Sequence, residues 1–429
     1  MTPRQLAFDL LQKAEKGKQY SNIILDNALK NSNMNEADKR LASVLFYGVI
    51  EKKITLDFQV ARLSSRPLEQ LDSLVITALR IGLYQLIYLD RIPQHAAINE
   101  TVDLCSRKSA GFVNAILRSY TRAPGIALPD KSNKALYLSV AYSVDTKLVE
   151  KFISCFGEEK TEAILEGFNK TPDTTLRVNT LKISRQELAE KIESAQLTYN
   201  APNGIHVKGS VRQLFGFDEG LFFVQDEASQ ICVEVLDAKV GQTMLDICSC
   251  PGSKSFGAAI NMKNQGEVLS FDLHANKLSL VLSGAERLGI NIIKTQERDG
   301  RNFIPELEGK ADRVLCDVPC SGFGVLAKKP ELRYKNPEES KALPQIQLDI
   351  LENACKYVKD SGVLVYSTCT LLPEENHLNI ERFLSAHPEF SLCPWQVGNI
   401  SATDGMLTLF PHTHGTDGFF IAKLIRKQL

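Results

Sequence analysis

The sequence carries almost no net charge, because 50 basic against 51 acidic side chains leave −1 over 429 residues. No global field therefore draws the chain onto nucleic acid or a membrane, and any polyanion has to be held by local patches. A bilayer-spanning run is also missing. The most apolar stretch, Leu74 to Leu89, is interrupted by Arg80 and Gln85, and it is shorter than the ~20 residues a spanning helix needs. The start, Met1-Thr2-Pro3-Arg4-Gln5, leads into a mixed pattern and not a charged head with an apolar core, so a cytosolic chain is expected. No C-x-x-C pair occurs, and none of the seven histidines stands where it would complete a zinc site. The ten scattered cysteines are expected to be reduced thiols. Neither G-x-G-x-x-G nor G-K-[ST] is found, which leaves a pyrophosphate cradle, and a nicotinamide-dependent oxidoreductase, unsupported.

What is there suits a soluble globular chain of two or three domains, with 44% hydrophobic and 24% charged residues. Residues 1 to about 125 repeat apolar positions at three and four, as in Leu6, Leu10, Leu11 and Ala14, or Leu74, Ala78 and Ile81. An all-α block is expected there, with five more basic than acidic side chains, a bias that favours RNA. On charge alone, the solvated face of a helical bundle is the favoured reading. The stretch Ala123-Pro124-Gly125 to Pro129-Asp130 reads as a linker. Beyond it come short helices and apparent strands at 175–178, 204–207 and 221–224. From about 240, strand and helix alternate: strands at 244–247, 267–271, 291–295, 313–316 and 363–366, and helices at 275–288, 343–357 and 374–384. Such alternation predicts an α/β domain with a doubly wound, mostly parallel sheet. The expected domains are 1–128, a linking 129–235 with a small α+β part, and 236–429.

In such a sheet, ligands bind beyond the carboxyl ends of the strands. The first strand runs into Asp246-Ile-Cys248-Ser249-Cys250-Pro251-Gly252-Ser253-Lys254, a turn of small residues that opens a helix. The second strand ends some 20 residues later in Asp272, where such folds place the carboxylate that holds ribose hydroxyls. This spacing without a phosphate cradle suits S-adenosylmethionine. Two more strands end in loops with a cysteine, Asp317-Val-Pro-Cys320-Ser-Gly and Ser367-Thr-Cys369-Thr. A helix starting at Pro373 would put its positive end near Cys369 and favour a thiolate. Cys105, Cys155, Cys232, Cys316 and Cys355 lie inside apolar patterns and read as packing residues. A methyl donor and a thiolate together suit methylation of a pyrimidine at carbon 5. Thiolate addition at carbon 6 makes carbon 5 nucleophilic, and an acid such as Asp317 near N3 stabilises the developing charge.

These motifs resemble the NOP/Sun family of RNA cytosine-5 methyltransferases along nearly the whole chain. Arg80-Ile-Gly-Leu-Tyr-Gln-Leu and Arg91-Ile-Pro-Gln-His-Ala-Ala are similar to the family's NusB-like RNA-binding domain. Arg177-Val-Asn-Thr-Leu and Val224-Gln-Asp-Glu-Ala-Ser are similar to its middle segment. Asp299-Gly-Arg301, the two cysteine loops, Pro373-Glu-Glu-Asn and Gly415-Thr-Asp-Gly-Phe-Phe resemble its catalytic motifs in order. The resemblance implies a Rossmann-like class I methyltransferase domain that methylates carbon 5 of a cytosine in 16S ribosomal RNA, working as a monomer without metal or membrane. It makes Cys369 the nucleophile, Cys320 the thiol that assists product release, and Asp317 the cytosine contact. S-adenosylmethionine would be held by residues Cys248 to Lys254, Asp272, Asp299 and Asp317. The chain departs from the family where Ser249-Cys250 replaces an Ala-Ala pair and Ser253 replaces a glycine. Added Cβ atoms there would crowd the cofactor, and this motivates an alternative, a non-catalytic RNA-binding protein on a methyltransferase-like scaffold. Lys328, Lys329, Arg333 and Lys335, with Tyr334 among them, read either as a phosphate-gripping strip or as a solvated loop.

Overall fold

The computed structural model describes residues 1–16 and 21–428. The chain folds as two compact units: residues 1–169 with 328–337, and residues 170–327 with 338–429. This division differs from the expected one, since 129–169 belongs with the N-terminal helices and a short later segment joins them.

The first unit is all-helical. Its helices are α1 (Pro3–Lys16), α2 (Ser21–Lys30), α3 (Glu36–Glu51), α4 (Lys53–Leu63), α5 (Ser73–Tyr88), α6 (Gln94–Val102), α7 (Arg107–Arg122), α8 (Lys134–Tyr142), α9 (Thr146–Phe156) and α10 (Glu158–Asn169). Leu6, Leu10, Leu45, Phe46, Ala78, Leu79, Ile116 and Leu117 share one core, as the three–four spacing requires. Val44 and Leu74 fit the same spacing but face solvent. The α5 residue Arg80 is buried and neutralised by Asp57 at 2.7 Å and by Glu15, so it supports the fold and is turned away from solvent.

The second unit holds two sheets. β1 (Thr174–Val178), α11 (Arg185–Lys191), β2 (Gln196–Leu197), β3 (Gly204–Val207) and β4 (Phe222–Val224) form a small α+β layer with antiparallel strand order β2-β3-β1-β4. Then follow α12 (Glu227–Leu236), β5 (Thr243–Asp246), α13 (Ser253–Asn261), β6 (Glu267–Asp272), α14 (Ala275–Leu288), β7 (Ile293–Glu297), β8 (Ala311–Asp317), α15 (Leu343–Ala354), β9 (Val358–Thr368) and α16 (His377–Ala386). The chain ends with β10 (Phe390–Leu392), the hairpin β11 (Trp395–Val397) and β12 (Ile400–Ala402), β13 (Met406–Leu409), α17 (Pro411–His414) and β14 (Phe419–Arg426). The large sheet runs β10-β14-β9-β8-β5-β6-β7, with β13 also on β14. Strands β5 to β9 pair in parallel, and β14 lies antiparallel to β9. Helices α12, α13 and α14 bury one face, and α15 and α16 bury the other. The expected doubly wound sheet is present. Strand order reverses between β5 and its neighbours β6 and β8, which is where such a sheet opens a crevice.

Among the described residues no helix is long and apolar enough to cross a membrane, and no group of three or more His, Cys, Asp or Glu could hold a metal ion.

Candidate active site

The carboxyl ends of β5, β6, β8 and β9 carry Asp246, Asp272, Asp317 and Thr368. Parallel pairing puts these ends on one edge of the sheet, so residues far apart in sequence converge there.

After β5 the chain turns through Cys248 to Gly252 into α13. Gly252 sits at φ 106° and caps the helix without any side-chain hydrogen bond, and a Cβ there would lie 2.6 Å from the Phe256 ring. Only glycine suits such a position. Asp272 accepts the Cys250 N–H at 3.3 Å and the His274 N–H at 3.1 Å, which orients its carboxylate at the strand end. Ser249 is buried and Cys250 packs partly against the core. The Cβ atoms of Ser249 and Cys250 are therefore largely absorbed by the interior, while Ser253 at the helix start is half-buried. A diol acceptor and an uncapped helix N-terminus fit the ribose and carboxylate of S-adenosylmethionine. Asp299 is drawn into its own loop instead, where Arg301 donates to both of its oxygens, at 3.0 and 2.6 Å. The Arg301 hydrogen bonds hold the Asp299 carboxyl below the ordinary carboxylate range.

Asp246, beneath this loop, is fully buried. Ser255 donates to one of its oxygens at 2.6 Å, and the other oxygen has no partner. Burial pushes its pKa up to about 7 despite the Ser255 bond. Sequence reasoning placed this residue only as the end of a strand.

Asp317 is gripped on both oxygens, by Lys254 Nζ at 2.6 Å and by Ser367 Oγ at 2.7 Å. Burial works against the Lys254 charge, but Asp317 and the nearby Cys232 and Cys369 hold its pKa above the ordinary lysine value. Beside this pair the two expected thiols meet. Cys320 Sγ and Cys369 Sγ are 3.0 Å apart, and the Cys369 N–H donates to Cys320 Sγ at 3.3 Å. Neither cysteine is in a disulfide, and both are half-buried. The hydrogen bond to Cys369, then burial, then the charges of Cys369 and Glu375 push the Cys320 thiol well above its ordinary value.

The helix after Cys369 starts later than the sequence suggests. Pro373–Glu375 is a single 3-10 turn, and α16 begins at His377. Glu375 leaves the helix because it is buried, accepting the Ser321 N–H at 2.9 Å and Gln347 Nε2 at 2.8 Å. Gln347 also donates to the Pro319 carbonyl, and Ser321 Oγ donates to Thr370 Oγ1 at 2.7 Å. A pattern of two acids after a proline resembles a helix start, so this lacing of the two loops was not visible in the sequence.

The basic strip divides. Lys328 and Lys329 are exposed, but Arg333 is wholly buried in the helical unit, donating to the carbonyls of Tyr142 at 2.9 Å and Phe168 at 2.8 Å. Tyr334 bonds the Ile50 carbonyl at 2.5 Å and the Glu51 carbonyl at 3.0 Å, and shares a hydrogen bond with Ser143 Oγ. Arg333 therefore cannot grip phosphate, and the Tyr334 hydroxyl anchors the segment. Exposed basic side chains occur instead on α7, where Arg107, Lys108, Arg118 and Arg122 face solvent on a helix without a single Asp or Glu. At 100° per residue, Arg107, Arg118 and Arg122 fall within roughly 60° of one another.

Known families match three segments of the chain. A model of the 16S rRNA methyltransferase RsmB/F family matches residues 233–425, the NusB family matches 1–122, and a ferredoxin-like domain of RsmF/B-like methyltransferases matches 146–212. The probable ribosomal RNA small subunit methyltransferase B of Bacillus subtilis is 36% identical over 99% of this chain and 98% of its own length. The small subunit methyltransferase B of Escherichia coli O1:K1 / APEC is 31% identical over 97% and 96%. The crystal structure of PH0851 superposes with a TM-score of 0.81 at 28% identity, covering 100% of this chain and 99% of that one. With its helical NusB domain, its doubly wound sheet and full-length relatives above 30% identity, the chain belongs to the RsmB/F family of 16S rRNA methyltransferases, which take their methyl group from S-adenosylmethionine.

Proposed function

We propose that the protein methylates carbon 5 of a cytosine in 16S ribosomal RNA through a covalent bond between Cys369 and carbon 6. The observation that carries this reading is the contact of two cysteine sulfurs, neither in a disulfide, at 3.0 Å beside the Lys254–Asp317 ion pair. A single nucleophile would explain one thiol; two in contact suit a reaction in which one sulfur adds and a second group removes a proton.

S-adenosylmethionine supplies an electrophilic methyl group, which Asp272 and the Cys248 to Lys254 loop are proposed to hold, with Asp299 at its rim. Cys369 adds to carbon 6. Asp317, fixed by Lys254 and Ser367, contacts the N3 edge as the ring takes up charge, and Lys254 is the adjacent proton source. In the free protein Cys320 keeps its proton, chiefly because it hydrogen-bonds Cys369. Bond formation to carbon 6 consumes the charge of Cys369, which lets Cys320 release its proton to solvent. The Cys320 thiolate then takes the carbon 5 proton, and Cys369 leaves. The exposed basic face of α7 supplies phosphate contacts, which need no sequence reading.

The test is the fate of the covalent adduct. Cys369→Ala should abolish both methylation and the protein–RNA species on a denaturing gel. Cys320→Ala should transfer the methyl group once and then accumulate that species. An adduct that persists in Cys369→Ala and vanishes in Cys320→Ala would reverse the roles.

A further inference from the structure

Two sulfur atoms 3.0 Å apart can share one proton, and something has to decide which of them keeps it. The titratable groups around the pair include Lys254 at the start of α13, Asp317 at the end of β8, Cys232 on α12, Tyr366 on β9 and Glu375 in the turn before α16. Burial pushes the Cys232 thiol up to about 12 and the Tyr366 phenol well above its usual range, so both stay neutral. Lys254 and Asp317 offset each other at 2.6 Å, with the Lys254 ammonium within Coulombic reach of Cys369.

That leaves Glu375, which lies on the Cys320 side. It is 1% exposed, and one of its oxygens accepts the N–H of Ser321, the residue next to Cys320, at 2.9 Å. Gln347 Nε2 donates to the same oxygen and to the Pro319 carbonyl, while the second oxygen is buried without a partner. The Tyr366 hydroxyl holds the Glu375 carbonyl at 2.6 Å. A carboxylate fixed in this way projects its charge onto the ionisable groups around it, Cys320 among them.

We propose that Glu375 is a positioning residue that biases the two thiols toward their roles: within a pair already held together by their mutual contact, its buried charge favours the proton on Cys320 and Cys369 as the nucleophilic sulfur. The inference rests on the proposed role of Cys369. Its physical content is a field across the sulfur pair, negative behind Cys320 and positive near Cys369. The raised Cys320 thiol, to which Glu375 contributes, agrees with that sign. The field persists without substrate, so the asymmetry belongs to the free protein.

The experiment is thiol alkylation of the full-length protein with iodoacetamide across pH 6 to 9, with the modified cysteines mapped by mass spectrometry. Wild type should be alkylated first at Cys369. In Glu375→Gln, an isosteric change, the ratio of Cys369 to Cys320 modification should fall, because the charge that favours the proton on Cys320 is gone. Glu375→Asp keeps the charge and should retain most of the preference, which separates charge from simple packing. Lys254→Met gives an independent variant should the glutamine protein fail to fold, and it should slow Cys369 alkylation. An unchanged ratio in Glu375→Gln, with adenosylmethionine binding and thermal midpoint retained, would overturn the role of Glu375 and leave the nucleophile standing. First modification of Cys320 in wild type would overturn the nucleophile assignment and this inference with it.

Discussion

Replacing Asp246 by Asn should remove a pH-dependent weakness from the catalytic unit. Asp246 is buried with one oxygen unpartnered, and its pKa rises from 3.8 to about 7, with burial the largest cause. A carboxyl whose folded pKa lies above its unfolded value stabilises the fold most below pH ~4 and loses that contribution as pH rises through the folded pKa. The window is therefore pH 4 to 7, and above it the folded protein holds a buried charge. Roughly three pKa units at ~1.4 kcal/mol each set a ceiling of ~4 kcal/mol, and relaxation around the charge brings the expected effect to ~2 kcal/mol. Asn is isosteric and still accepts from Ser255. The assay is the thermal midpoint of variant minus wild type, measured from pH 5 to 8.5, so that other titrating groups cancel. The difference should grow with pH and level off above 7. A flat difference would refute the account, because it would mean that Asp246 titrates alike in the folded and unfolded chains.

Asp272→Ala should weaken adenosylmethionine binding by about 1–3 kcal/mol, roughly 5- to 150-fold, read by calorimetry; unchanged affinity would move the ribose contact elsewhere. Arg333→Leu strands the Tyr142 and Phe168 carbonyls and should cost ~2–4 kcal/mol of stability, seen as a lower urea midpoint. Neutralising Arg107, Lys108, Arg118 and Arg122 together should lower the slope of log affinity for 16S RNA against log salt by about 3, at ~0.7–0.9 per phosphate contact. An unaltered slope would place the RNA on another surface.

Periodicity was enough to find most of the architecture. The α14 boundaries match the expected helix, and β3 matches the expected strand, because both are short-range patterns with clear ends. The end of the chain was harder. Strands β10, β13 and β14 pair antiparallel at or near the sheet edge, β11 and β12 form a separate hairpin, and the short strands β10 to β13 mix polar with apolar residues, so no clean alternation marks them. In the site, Cys320, Cys369, Asp272 and Asp317 were legible because strand-end loops concentrate chemistry. Asp246, Gln347 and Glu375 were not. The significance of Asp246 lies in its burial, and that of Gln347 and Glu375 in burial and in distant partners, with Glu375 28 residues from Gln347 and 54 from Ser321. Arg333 shows the converse, since a basic residue among lysines reads as surface until three-dimensional packing gives it carbonyl partners.

The membership of residues 328–337 in the helical unit also bears on how the protein is made. Helices α1 to α10 are complete once residue 169 has been synthesised, but Arg333 and Tyr334, which close carbonyls on α3, α8 and α10, are encoded far downstream. At ~5–20 residues per second, a nascent helical bundle waits roughly 10–30 s for its last piece. During that interval most of the second unit emerges, so the two units cannot mature one after the other as independent beads. Truncation after residue 169 would leave the bundle without its closing segment. The order of the coding sequence thereby ties the helical half to the synthesis of the catalytic half.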